Sequence, residues 1–133
     1  MRKIYLLSLS VFLLSCSSNI PIKDIYSFEV VEQQATAQRE KYRDTEEYAQ
    51  FNNDWLSFNN ANQIDEKGHC YLIGGPTEVI ILIQNRLGTI QNVVVENDNK
   101  KTRCFKEAFI GKKYPKPPFS PFYHYMIMTG EDA

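Results

Sequence analysis

A chain of 133 residues with 43% hydrophobic and 13% aromatic content holds one small domain's worth of material. It is too polar and too short for an integral membrane bundle, and too rich in aromatic and β-branched residues to be disordered throughout. Its 15 Lys and Arg stand against 16 Asp and Glu, and a formal net charge of −1 gives no electrostatic reason to expect nucleic acid as a partner. The first element is an apolar run. Arg2 and Lys3 form a short basic start, and residues 4–14 are almost wholly apolar. A spanning helix needs roughly 20 such residues. The length and flanks therefore fit a secretory signal over residues 1–15.

The run ends Leu13-Leu14-Ser15-Cys16. This resembles the lipobox of bacterial lipoproteins, in which a small residue precedes an obligatory Cys. The resemblance implies diacylglycerylation of the Cys16 thiol, cleavage just before it and acylation of the new amine. Two or more acyl chains hold a protein firmly to a bilayer where one binds only marginally. Ser17, rather than Asp, follows the Cys; by resemblance to enterobacterial sorting, that implies the outer membrane, with the domain facing the periplasm. Residues 16–27 would then be the lipidated N-terminus and its tether.

Two cysteines remain, Cys70 and Cys104. In an oxidising periplasm an even pair reads as a disulfide. Two other readings stay open, a metal site shared with His69 or free thiols. The adjacent pair His69-Cys70 is not a usual zinc spacing, and no activating cluster surrounds either thiol. No metal or cofactor is expected.

Residues 28–62 lack Gly and Pro and are rich in good helix formers. They predict one amphipathic helix. Val31, Ala35, Gln38, Tyr42, Thr45 and Ala49 trace a weak stripe, and Tyr48, Phe51, Trp55 and Phe58 a stronger one. The second stripe is expected to pack on the domain, with Trp55 in the core. The first half, dense in charge, is expected to be solvated. An interaction arm is the other reading of this helix.

Residues 71–73 suggest a short strand piece before Gly74-Gly75-Pro76, which is no phosphate loop because it leads into a strand. The β-branched run of residues 78–84, the turn Asn85-Arg86-Leu87-Gly88 and the return strand of residues 90–96 predict a hairpin. A short helix follows, capped by Asn97, Asp98 or Asn99 and stopped at Gly111. Cys104, Phe105, Ala108 and Phe109 form its apolar face. Four prolines in residues 115–121 forbid helix and regular pairing; the stretch reads as a rigid connector or, alternatively, a polyproline ligand. Residues 122–128 predict a last strand, on which His124 reads as a satisfied strand histidine.

The expected class is thus α+β: an N-terminal amphipathic helix, then a ββαβ domain with an antiparallel sheet over residues 63–133. Residues 78–128 resemble the C-terminal domain of TonB-type proteins. The carrying residues are Gly88-Thr89-Ile90-Gln91-Asn92-Val93 and Tyr114-Pro115-Lys116-Pro117-Pro118-Phe119. The chain departs from that family in lacking its membrane span and long Pro-rich linker, which argues against an energy-transducing role. In the family the last strand can recruit a partner's extended segment. Carried over, this makes residues 123–128 a candidate binding edge, with Tyr123, Tyr125 and Ile127 as its residues.

No paired carboxylates, nucleophile elbow or phosphate loop supply an enzyme. Glu46, Glu47 and Asp54 read as a solvated face. The expected function is a non-enzymatic, lipid-anchored envelope protein that binds another envelope protein. The alternative is a periplasmic inhibitor or immunity protein that blocks an enzyme such as a wall hydrolase. A small-ligand or metal carrier is a third reading.

Overall fold

The computed structural model describes residues 26–63 and 68–129. The expected signal, Cys16 and most of the tether lie outside these residues. The described chain is mixed α+β, with three helices and a three-stranded antiparallel sheet. Its elements run α1 (Phe28–Tyr42), α2 (Glu46–Asn62), β1 (Glu78–Gln84), β2 (Ile90–Val95), α3 (Lys100–Phe109) and β3 (Phe122–Met128). The sheet order is β2-β1-β3.

β1 lies in the middle because it is apolar on both faces. Ile80, Ile81 and Leu82 are wholly buried. Successive strand residues point to opposite faces, so β1 feeds two cores. Ile80 and Leu82 join Phe51 and Trp55 of α2, Phe105 and Phe109 of α3, and Val93 and Phe122 of the flanking strands. Ile81 and Ile83 join Val31 and Ala35 of α1 and Val94 of β2. The result is three layers: α1, the sheet, then α2 with α3. Each fully buried aliphatic side chain contributes about 1.5–3 kcal/mol, so β1 is the strand that the domain can least spare.

The stretch expected to be one helix is two. Thr45, read from the sequence as a stripe residue, is an N-cap whose side chain accepts from the Tyr48 N–H. Its own hydroxyl donates to the Tyr42 carbonyl at 2.8 Å. One threonine thus closes α1 and opens α2, because its oxygen satisfies groups that a continuing helix would have paired. The break lets the two halves pass to opposite faces of the sheet. The expectation that the first half is solvated is corrected for the same reason: Val31, Ala35 and Gln38 are buried on the sheet. Residues 71–73 are a pair of turns rather than a strand, with the Tyr71 and Ile73 N–H groups donating to the Gly68 and Cys70 carbonyls.

The hairpin turn and the proline segment lock together. Gly88 has φ +86°, and a Cβ there would sit 2.1 Å from the Tyr114 carbonyl oxygen. Glycine supplies both the left-handed backbone and the room. The Tyr114 N–H donates to the Gly88 carbonyl at 2.9 Å. The Tyr114 ring stacks on Trp55 with centroids 4.7 Å apart, and its hydroxyl donates to Asn59 Oδ1. Residues 115–121 therefore leave a buried anchor and return to the sheet at Phe122.

Cys70 and Cys104 are joined by a disulfide. It ties α3 to the turn before β1. Asn99 caps α3 in a reciprocal capping box with Thr102. The Asn97 and Asn99 side-chain amides donate to the carboxylate of Glu78, which is only 1% exposed. The buried Lys101 Nζ donates to the Pro76 carbonyl at 2.8 Å. Beside the disulfide, these bonds fix the start of α3 to the start of β1.

Candidate functional site

The sheet has two outer strands, and their edges differ. In an antiparallel ladder, backbone groups alternate between facing the partner and facing away. The Val79 carbonyl accepts from the Glu96 N–H on the β2 side. Odd-numbered β1 residues therefore face β2, and even-numbered ones face β3. The register pairs Leu82 with His124 and Ile80 with Met126. The backbone groups of Tyr123, Tyr125 and Ile127 consequently face outward from β3.

A second observation agrees. The Tyr123 N–H donates to Gln38 Oε1 of α1 at 3.0 Å, which it can do only from the outer side. Gln38 thus caps the edge at its first position. Its own Nε2 is buried without a partner among the described residues. No described residue caps Tyr125 or Ile127 on that side. Ile127 is 64% exposed.

The side chains of these residues lie over the α1 face. Tyr123 and Tyr125 pack partly against the Val31 and Ala35 core. Arg39 sits 6.0 Å from the Tyr125 ring centroid. Burial, with Tyr26 nearby, raises the Tyr123 hydroxyl above its ordinary pKa. A shallow cavity of about 290 Å³ runs beside the capped end, lined by Gln38, Tyr42, Phe119 and Tyr123 among others. The Tyr42 and Phe119 rings in its lining have centroids 4.3 Å apart.

The opposite face of β3 is anchored. Phe122 and Met128 are buried, and His124 lies 4.2 Å from the Trp55 ring. His124 was expected to be satisfied, yet its Nδ1 is buried without a hydrogen-bond partner among the described residues. Burial lowers its pKa to about 4. It is held neutral by packing among Trp55, Phe51 and Phe122.

The β2 edge is covered over its first half. The Ile90 N–H donates to the Lys112 carbonyl, and the Gly111 N–H donates to the Ile90 carbonyl at 2.8 Å. Thr89 bridges Lys113. The Val93 N–H turns in to its neighbour's side chain, Asn92 Oδ1, at 2.9 Å. Val95 ends the strand beside a cavity walled by α3.

Of the residues singled out in the sequence, Cys70 and Cys104 are brought together, and Tyr123, Tyr125 and Ile127 share one outward-facing row. Cys16 lies outside the described residues. Gln38 belongs to the weak stripe of the sequence, but its cap on the Tyr123 N–H has no local signal beyond a polar residue following Val31 and Ala35. His69, weighed in the sequence as a metal-site neighbour of the cysteines, lies against the disulfide, its Nε2 3.5 Å from Cys70 Sγ. No helix among the described residues is long and apolar enough to cross a membrane. No protein-family model, curated protein or solved structure matches the chain.

Proposed function

We propose that the chain is a lipid-anchored envelope protein whose small disulfide-linked domain binds another envelope protein without catalysing a reaction. The lipobox-like end at Cys16 supplies the anchor in this reading, and the outer membrane the address. The domain faces the periplasm and takes up an extended segment of its partner as a fourth strand on β3. The order β1, β2, α3, β3 over residues 78–128, together with the resemblance to TonB C-terminal domains read from the sequence, is what suggests that mode of binding.

The observation that carries the reading is the character of the β3 edge. Edge strands usually carry a lysine, a proline or a bulge that blocks further pairing. β3 reads Phe-Tyr-His-Tyr-Met-Ile-Met, without a charged residue or proline, and its register with β1 runs unbroken over seven pairs. Two outward residues, Tyr125 and Ile127, offer backbone groups to an added strand. Strand addition draws affinity from main-chain hydrogen bonds and specificity from alternate side chains.

The test is an Ile127→Pro variant compared with the natural chain in photo-crosslinking from position 125 in intact cells. Proline removes the outward N–H, and an edge position tolerates it. Expected are discrete adducts with one envelope protein in the natural chain, mapped to an extended segment, and their loss in the variant. Adducts that persist in Ile127→Pro would remove the edge from the account. Adducts with a wall hydrolase, together with inhibition of that enzyme by the purified domain, would replace this reading with that of an inhibitor.

A further inference from the structure

The disulfide has a third group beside it. A ring nitrogen of His69, Cys70 Sγ and Cys104 Sγ all lie within 4.8 Å of one another. Sequence spacing alone argued against zinc, because His69 and Cys70 are adjacent. The fold supplies what spacing withheld, bringing Cys104 of α3 onto the same point.

The geometry can be compared with a tetrahedral centre. Zinc sits about 2.3 Å from thiolate sulfur and about 2.0 Å from imidazole nitrogen. At a tetrahedral angle these lengths put nitrogen and sulfur about 3.5 Å apart, and two sulfurs about 3.8 Å apart. His69 Nε2 already stands 3.5 Å from Cys70 Sγ. The two sulfurs have to part, and Cys104 Sγ and the His69 ring, within 4.8 Å of each other, have to settle at the nitrogen–sulfur spacing. His69 is exposed, Cys104 is partly so, and Cys70 is buried, so an ion has an entry path on one side and a packed wall on the other.

The same histidine lines a cavity of about 210 Å³ with Asn62, Gln63, Ala108 and Lys112. Ala108 lies one helical turn after Cys104 on α3. Of the three donors His69 lines this cavity, and Ala108 brings it one helical turn from Cys104, so a fourth ligand can approach from here. Lys112 favours a water or a small anion there over a second cation.

We propose that the reduced protein holds a zinc ion, or a similarly thiophilic metal ion, on His69 Nε2 and the Cys70 and Cys104 thiolates, with the fourth position open to this cavity. A dithiol reductant gives two electrons and two protons to the disulfide, leaving two thiols, and is itself oxidised to a disulfide. The metal then displaces the two thiol protons and binds both sulfurs. In the oxidised protein the sulfurs are spent on each other and the site does not exist. The cross-link between α3 and the turn before β1 is therefore kept in both states, by a covalent bond in one and by a metal in the other. This inference does not depend on the β3 edge.

The experiment uses the full chain carrying Cys16→Ser, so that no third thiol competes, reduced with a phosphine under circular dichroism. Cobalt(II) is the probe. Expected are one equivalent bound, thiolate-to-cobalt charge-transfer absorption with four-coordinate ligand-field bands, displacement by zinc and no such bands before reduction. His69→Ala is exposed and leaves the core intact; it is expected to weaken binding by more than about tenfold, the lower end of what even an outer-sphere partner contributes. Absence of the charge-transfer band, an unchanged affinity in His69→Ala, or loss of the fold on reduction before metal is added would each overturn the proposal.

Discussion

The two edges of the sheet are built from similar strands and meet opposite fates. β2 is covered where it begins, by the chain leaving α3, and its Val93 amide is turned in on Asn92. Among the described residues β3 is capped at Tyr123 alone, by Gln38, and then runs on uncharged and unbulged. On one edge the backbone finds its partners within the chain. On the other, the side chains are anchored inside while the backbone faces out. Rigidity of the inner face with openness of the outer edge is what strand addition needs, since a preformed strand pays little ordering entropy on binding.

The largest test of this contrast removes the disulfide. The cross-linked cysteines are 34 residues apart, a loop whose closure is worth about 4 kcal/mol in the chain-entropy model. A Cys70→Ala, Cys104→Ala double variant should lose most of that in urea unfolding. Because α3 leads directly into Gly111 and Lys112, the β2 edge should loosen more than β3, with faster amide exchange at Ile90 and Gly111. Equal loosening of both edges would break the contrast.

Gly88→Ala strikes the covered edge locally. The left-handed backbone and the contact with the Tyr114 oxygen together should cost about 3 kcal/mol. The melting temperature should fall, and the Tyr114 amide should lose protection while the β1–β3 ladder keeps its own.

The anchored face of β3 has a pH signature. His124 titrates near 4 in the fold and near 6.5 when unfolded. The unfolded chain therefore binds the extra proton first, so stability is full above about pH 6.5 and declines as pH falls toward 4, by at most about 3 kcal/mol. Below that the contribution is flat. His124→Phe should remove this part of the slope in urea titrations at stepped pH; an unchanged slope would show the histidine to be hydrated rather than packed.

The smallest effect sharpens the open edge itself. Gln38→Ala should cost about 1 kcal/mol, the net worth of one hydrogen bond. It should raise exchange of the Tyr123 amide to the level of its neighbours along the edge. If Tyr123 stays protected, something other than Gln38 caps it.

Much of this molecule is readable in its sequence, and the unread part has a common cause. The β-branched run at residues 78–84, the turn ending at Gly88 and the strand at residues 122–128 carry their structure in local pattern. So does α3, with Asn99 before it and Gly111 after. The break at Thr45 is hidden in the sequence, because an N-cap threonine inside a run of good helix formers resembles any other polar helix residue. Val31 and Gln38 read as part of a solvated half because a weak stripe among dense charges hides a buried face. The edge status of β3 is not a local property: it depends on β1 taking the central place, which follows from burial on both its faces. The nearness of His69 to Cys104 is likewise set by where α3 lands. Cys16 and its lipobox-like context are legible in the sequence and remain an expectation about processing.

Backbone amide exchange, read residue by residue by NMR on the isolated domain, tests the central claim most directly. The account predicts slow exchange at Ile90, Gly111, Tyr114 and Tyr123, and fast exchange at Tyr125 and Ile127 despite their place in a regular strand. Protection of Tyr125 and Ile127 equal to that of the central strand would contradict it, because the β3 edge would then already be occupied.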